Sequence, residues 1–155
     1  MKKMSRIIAI ALLLSTVAVV LLAQPKGAPE RMRAINPPGT PQGLPFSNGL
    51  LVGNTLYVAG EQGADANGKL VPGGIGPETR ATLETIQKVV REAGFQMKDV
   101  VAVNVYLADI QDFGEMNKVY KTFFPDPKPT RTTIQAARLV NDARIEISAI
   151  AVMHQ

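Results

Sequence analysis

Residues 129–152 read PTRTTIQAARLVNDARIEISAIAV, and this stretch decides the fold class. It predicts two β-strands joined by a short connection at Val140–Ala143. The second strand alternates cleanly, which places one set of side chains on each face: Ile145, Ile147, Ala149 and Ala151 on one, and Glu146, Ser148 and Ile150 on the other.

Each of these two strands carries a charged residue, Arg131 at the start of the first and Glu146 within the second. Ionised side chains are rare in sheets unless they are paired, solvated or functional. Two interpretations follow. Arg131 is a surface residue and Glu146 an edge charge that opposes aggregation, or the two residues form a binding site.

Upstream, the pattern predicts three further strands. Leu50–Val52 and Thr55–Ala59 form a hairpin, because Gly53-Asn54 supplies the positive φ angles of a two-residue turn. Residues 60–76 are rich in turn formers and are predicted as a loop. Val100–Leu107 alternates and is predicted as the third strand.

Two helices separate these strands. Pro77–Ala93 has proline at its first position, an apolar face and Gly94 as its C-terminal stop. Asp112–Phe124 has Asp112 as a plausible N-cap and ends before two prolines; its predicted buried side is Phe113, Met116, Tyr120 and Phe123.

The order β-β-α-β-α-β-β predicts an α+β fold with both helices on one face of a mixed β-sheet. Helices then cover only one face of the sheet. The other face needs a partner, which is consistent with oligomerisation.

The N-terminus reads as a targeting segment. Lys2, Lys3 and Arg6 precede an apolar stretch over residues 7–23, so residues 1–23 are predicted to be a signal peptide, or else a retained N-terminal anchor. The folded part is therefore expected to be exported, in the periplasm or secreted. It would contact a membrane only if the segment is retained.

Removal of residues 1–23 changes the charge balance. The whole chain has 17 Lys and Arg against 13 Asp and Glu, but 14 basic and 13 acidic residues remain after residue 23. No basic stripe is left to indicate a nucleic-acid partner.

Residues 24–44 form a proline-rich lead-in, and residues 45–155 are predicted to be a single domain. The chain has no cysteine, so no disulfide stabilises it. His154 is the only histidine and is nearly terminal, which argues against a zinc site, and no cofactor is predicted.

The C-terminal segment resembles the signature of the RidA/YjgF family of reactive-intermediate imine deaminases, formerly described as endoribonuclease L-PSP. The resemblance is carried by Pro129-Thr130-Arg131, Ala137-Arg138-Leu139, Ile145-Glu146-Ile147 and Ala149-Ile150-Ala151. Weaker support comes from Tyr57–Gly60, Ala93-Gly94 and the residues of the second helix. The resemblance implies a chorismate-mutase-like fold that assembles as a homotrimer, with sites between subunits.

The resemblance also implies a reaction, the hydrolysis of 2-imino acids and their enamine tautomers to 2-oxo acids and ammonia. Arg131 matches the residue that grips the substrate carboxylate, a task that suits the planar, permanently charged guanidinium. Gly60 matches a position whose backbone N–H approaches the same carboxylate. Glu146 matches the acid that orients the attacking water, with the backbone carbonyl of Thr133.

Four further positions are assigned to the substrate site by the same resemblance: Phe46, Ala59, Asn117 and Phe124. Asn117 is as readily a helix-capping residue, and Phe124 as readily core. Phe46 and Ala59 stand where the family often has tyrosine and serine, so two hydroxyl groups are missing, and Thr133 stands where it often has cysteine. Glu61 stands where the family often has glutamine and adds a negative charge.

Three functions compete. Retention of Arg131 and Glu146 favours an imine deaminase, whereas the missing hydroxyls favour a non-catalytic trimer that binds a small carboxylate. Endoribonuclease activity is disfavoured, because metal-free RNA cleavage generally needs a base and an acid near neutral pKa and His154 cannot supply both. A chaperone-like role is left open by the sequence.

Overall fold

A computed structural model describes residues 32–65 and 67–153. Among them, six strands form one sheet in the order β1-β2-β3-β6-β4-β5, and two helices accompany it. The strands are β1 (Met32–Ile35), β2 (Gly49–Val52), β3 (Thr55–Gln62), β4 (Val100–Leu107), β5 (Thr130–Gln135) and β6 (Ile145–Val152); the helices are α1 (Ile75–Glu92) and α2 (Phe113–Tyr120). β4 and β5 are parallel and the other neighbours are antiparallel, so the predicted mixed α+β sheet is confirmed.

The two C-terminal strands form where they were predicted, but they are not neighbours in the sheet. β4 lies between β5 and β6 and pairs with both. β4 and β5 are parallel because α2 carries the chain back across the sheet between them, as parallel strands require. β6 then enters antiparallel between β3 and β4 and becomes a central strand of the sheet.

The hydrophobic core lies between the sheet and α1. The four alternating residues of β6 that were predicted to share a face are all buried, as are Leu83, Ile86 and Val90 of α1. α1 packs on β3, β6 and α2. The opposite sheet face is uncovered in the single chain: Leu50, Tyr57 and Ile150 lie in register there, and Tyr57 is 49% exposed.

The helices differ from prediction at their ends. α1 begins at Ile75, two residues early, because Gly74 turns the chain with φ 87°; Gly94, with φ 88°, follows it as predicted. α2 ends at Tyr120 rather than Phe124. Asp112 precedes α2 but makes no side-chain cap.

The carboxylate of Asp112 instead pairs with Arg144, with a nitrogen–oxygen distance of 2.8 Å. The side-chain cap is one turn earlier, where Asp109 accepts a hydrogen bond from the Gln111 N–H at 2.9 Å and starts a 3₁₀ turn that leads into α2. Phe113, predicted to be buried, is 39% exposed.

Two stretches read as irregular are strands. Met32–Ile35, within the predicted lead-in, pairs with β2 and buries Ile35 in the core. The interpretation of residues 24–44 as wholly irregular is therefore wrong. β3 also continues through Gly60, Glu61 and Gln62, which were predicted as the start of a loop because turn formers are frequent between residues 65 and 74.

The predicted export segment and His154 lie outside the described residues, so the localisation remains a prediction. Within residues 32–65 and 67–153, neither helix is long and apolar enough to cross a membrane.

Candidate active site

Four of the predicted site residues line one cavity of about 500 Å³ at the end of β3: Phe46, Ala59, Gly60 and Glu146. We call this cavity the carboxylate pocket. Its remaining walls are polar on the side of β3 and apolar on the side of the loops, with lining residues Pro41, Leu44, Asn48, Glu61, Gln62, Ala64, Val140 and Asn141. Its floor is β3 and β6, which pair across it.

Glu146 lies directly against Gly60. A methyl group at position 60 would collide with Oε1 of the Glu146 carboxylate. A side chain at position 60 would therefore displace the Glu146 carboxyl, and the φ angle of Gly60 is not in the left-handed region. The other oxygen, Oε2, accepts a hydrogen bond from Nε2 of Gln62 at 3.0 Å.

A second carboxyl, Glu61, lies in the wall of the same pocket and is 8% exposed. Nδ2 of Asn48 donates to its Oε1 at 2.8 Å. Burial raises the pKa of Glu61, the Asn48 hydrogen bond opposes this rise, and the negative charge of Glu146 adds to it. Glu61 therefore loses its proton less readily than an exposed glutamate does.

Arg131 belongs to a separate group, which we call the arginine cluster: Arg131, Asn117, Phe113 and Tyr120. Nη1 of Arg131 donates to Oδ1 of Asn117 at 2.7 Å. The guanidinium carbon lies 4.5 Å from the centroid of the Tyr120 ring and 5.4 Å from that of Phe113. The cation is thus fixed by an amide and two aromatic rings while the rest of its donor fork stays available.

Tyr120 contributes its ring to the cluster and does not act as a proton carrier. Burial raises the pKa of its hydroxyl to about 12, although the nearby Arg131 charge opposes the rise. The Thr133 hydroxyl is buried and, like that of Tyr120, has no hydrogen-bond partner among the described residues.

The carboxylate pocket and the arginine cluster lie on opposite faces of the sheet. Arg131 is in register with Val103 and Thr133 with Val105, and both valines point into the core beneath the helices. Glu146 lies between the buried Ile145 and Ile147 on β6, so its side chain points to the other face. One chain therefore cannot bring Arg131 and Glu146 to the same ligand.

The structure thus divides the predicted residues into two groups. Phe46, Ala59, Gly60 and Glu146 line the carboxylate pocket. Asn117 contacts Arg131, and Thr133 lies on the same face of the sheet as Arg131. Phe124 joins neither group. It is 3% exposed and its ring centroid lies 4.7 Å from that of Tyr120, so it supports the cluster from within the core and does not line a ligand site.

Sequence reasoning missed the polar neighbours of the two charges, Asn48 and Gln62, and the role of Phe113 and Tyr120. The aromatic spacing was visible but was attributed to the core. Gln62 gave no signal, because its region was read as a loop.

In the chain from 32 to 65 and 67 to 153, no group of three or more acidic or histidine side chains is placed to hold a metal ion.

Comparison with known proteins identifies the family. The sequence model of the endoribonuclease L-PSP family matches residues 40–153, so the chain belongs to this family. Rat 2-iminobutanoate/2-iminopropanoate deaminase is 44% identical over 108 residues, which is 69% of this chain and 79% of the rat protein.

Two solved structures from Escherichia coli show the same fold. The YjgF gene product aligns with a TM-score of 0.72 and 28% identity over 79% of this chain and 99% of that one. TdcF with bound serine aligns with a TM-score of 0.70 and 28% identity over 81% and 100% of the two chains. The resemblance to the RidA/YjgF family and the fold class that it implied are confirmed.

Proposed function

We propose that the protein is a hydrolytic deaminase of 2-imino acids and enamines, and that it works as a homotrimer with sites between subunits. The observation that carries the proposal is the separation of Arg131 and Glu146 by the sheet. Two half-sites on opposite faces become one site when the arginine cluster of one subunit faces the carboxylate pocket of the next.

The division of labour follows from the two half-sites. The arginine cluster presents a fixed guanidinium, which binds the carboxylate that every 2-imino acid carries. The carboxylate pocket presents Glu146 with Oε1 directed towards Gly60 and Oε2 held by Gln62. A substrate bound between them has its C=N carbon near a carboxylate that can accept a proton from water.

The reaction then balances without a cofactor. Glu146 takes a proton from water while the oxygen bonds to C2 of the protonated imine, whose nitrogen becomes an amine. That proton passes to the nitrogen, and the C–N bond breaks as Glu146 takes the remaining hydroxyl proton, which leaves a 2-oxo acid and ammonia; the ammonia then takes the proton from Glu146. The carbonyl of Thr133 would accept the other hydrogen of the water and fix its orientation.

The comparisons support this assignment. The rat relative is named a 2-iminobutanoate/2-iminopropanoate deaminase. Serine, bound in the TdcF structure, has a carboxylate and an amine on one carbon, as does the addition intermediate of imine hydrolysis. RNA cleavage, which the family description names, lacks support here because neither half-site contains a histidine.

A second candidate is a trimer that binds a small carboxylate without turnover. It is favoured by Phe46 and Ala59, which line the carboxylate pocket with no hydroxyl group. A missing hydrogen bond to a charged ligand costs about 1.5–3 kcal/mol. The pocket nevertheless retains Asn48, Glu61 and Gln62 as polar wall groups, so we rank the enzyme first.

The test is an assay with 2-imino acids generated in situ by an amino-acid oxidase, with their decay followed in the presence and absence of the protein. We expect the wild-type protein to accelerate the decay of the 2-imino acids. Arg131→Ala should lower kcat/KM by about 100-fold, because it removes a bidentate charged contact. Arg91→Ala, at an exposed position on α1, is the matched control and should behave as wild type. Unchanged decay of both aliphatic and aromatic imines would instead favour the binding protein.

A further inference from the structure

We propose that Gln62 is a positioning residue for Glu146, which it holds by one carboxyl oxygen and aims into the carboxylate pocket. This inference rests on the proposed role of Glu146. Gln62 and Glu146 are direct partners in the β3–β6 register, and their side chains meet on the open face of the sheet.

A β-bulge places Gln62 on that face. Leu56 and Val58 point into the core, so simple alternation would send the side chain of residue 62 inwards as well. The β3–β6 register shifts between Val58 and Glu61, which reverses the alternation. Glu61 consequently points inwards and is buried, and Gln62 turns outwards to Glu146.

The orientation of the Gln62 amide is fixed by its neighbours. Nε2 donates to Glu146 Oε2 at 3.0 Å and to the backbone carbonyl of Val140 at 3.0 Å. Both of these neighbours are acceptors, so the NH₂ group, with its two protons, must face them. Nδ2 of Asn141 completes the set by donating to Oε1 of Gln62 at 3.5 Å.

This contact makes the two oxygens of Glu146 different. Oε2 is occupied by a donor, so a proton taken up by Glu146 goes to Oε1, next to Gly60. A hydrogen bond to the charged form of a carboxylate favours that form. Loss of the Gln62 donor would therefore disfavour the carboxylate form of Glu146, and the same donor directs the other oxygen towards the pocket.

The other titratable groups around Glu146 do not supply this stabilisation. Glu61 on β3 is acidic, and Tyr106 on β4, opposite Glu146 in the register, is a phenol. Asp142, in the neighbouring 3₁₀ turn, pairs with Arg138 at 2.8 Å. Among the residues that the structure describes, no lysine or arginine forms an ion pair with Glu146.

The experiment compares wild type with Gln62→Met, which keeps the side-chain length but removes the donor. Gln87→Met, half-buried on α1 and away from the pocket, is the matched control. We expect Gln62→Met to lower kcat about tenfold with little change in KM, as loss of one charge-assisted hydrogen bond predicts. The acidic limb of its pH–rate profile should move to higher pH.

A second readout does not depend on turnover. The ¹³C resonance of the Glu146 carboxyl, assigned by its loss in Glu146→Gln, should titrate at higher pH in Gln62→Met than in wild type. Gln62→Glu, which replaces the donor with a second carboxyl, should raise the midpoint further. Gln62→Glu also provides the titration readout if Gln62→Met folds poorly.

The outcomes separate this inference from the proposed function. An active wild type whose kcat and Glu146 titration are unchanged in Gln62→Met overturns the role of Gln62 alone. An inactive wild type whose Glu146 titration still moves with residue 62 overturns the deaminase and keeps the positioning role. An unmoved titration midpoint in both variants overturns the inference whether or not the protein is active.

Discussion

Two carboxyl groups share the carboxylate pocket but lie in different surroundings. Glu61 is buried, and its pKa is raised by that burial. Glu146 lies on the open face of the sheet with an amide donor on one oxygen and the other oxygen next to Gly60. Two acids whose environments differ in this way suit different tasks.

The raised pKa of Glu61 predicts a pH-dependent stability. The folded protein holds the Glu61 proton more tightly than the unfolded chain, so ionisation of Glu61 costs stability as pH rises through its folded pKa. Glu61→Gln should therefore stabilise the protein by about 1 kcal/mol at pH 7.5 and leave it unchanged near pH 4. Thermal unfolding at the two pH values measures this.

The control for that prediction is Glu92→Gln, an exposed acid at the end of α1, which should show no such pH dependence. An equal effect of Glu61→Gln at both pH values would show that burial does not impede ionisation of Glu61.

At the residue scale, sequence reasoning found the charged groups of the site and missed the neutral ones. Arg131 and Glu146 stood out because charge is expensive in a strand. Gln62 carries no charge and precedes a glycine, so nothing in the pattern distinguished it from a loop residue. Its orientation depends on a bulge whose position is fixed by pairing with β6, a partner 84 residues away.

At the element scale, one buried side chain ties α1 to the start of β6. Oε1 of Glu78, in the first turn of α1, accepts hydrogen bonds from the backbone N–H groups of Arg144 at 2.7 Å and Ile145 at 3.4 Å. Glu78 is 3% exposed. Burial raises its pKa, and the two N–H groups oppose that rise.

Glu78→Ala should destabilise the protein by about 1–3 kcal/mol, because it leaves backbone donors buried without an acceptor. Glu78→Gln retains a carbonyl acceptor, so this variant should lose less stability than Glu78→Ala. Equilibrium unfolding in urea measures both variants, with the exposed Glu84→Ala on the same helix as the control. Equal losses for Glu78→Ala and Glu84→Ala would contradict the tie between α1 and β6.

The elements themselves were largely predictable, and their neighbours in the sheet were not. Alternation identified β4 and β6, and the apolar periodicity and flanking glycine identified α1. β1 is four residues long within a proline-rich stretch, too short for periodicity to reveal. The insertion of β6 between β3 and β4 depends on long-range pairing, which local pattern does not encode.

At the scale of the whole molecule, the single chain has an uncovered sheet face and two incomplete half-sites. The proposed homotrimer would account for both features, because a neighbouring subunit would cover the face and complete the site. The sequence indicated an uncovered face through its two-helix topology. It did not indicate that the sheet separates Arg131 from Glu146, since faces are assigned only once β5 is in register with β4.

The most direct test of a site shared between subunits is complementation between Arg131→Ala and Glu146→Gln. Each variant alone is expected to have little activity, with about 1% of the wild-type kcat/KM left in Arg131→Ala. When the two are unfolded and refolded together in equal amounts, random assembly should restore an intact site at about one interface in four. A mixture of Arg131→Ala and Asn117→Ala, both within the arginine cluster, is the control and should gain nothing from mixing.

The measurement is the imine-hydrolysis rate of the refolded mixture, with formation of mixed oligomers verified by differently tagged subunits. A rate of about a quarter of the wild-type value, far above that of either variant alone, is the predicted result. Mixed oligomers no more active than the separate variants would contradict a site built from Arg131 of one subunit and Glu146 of the next.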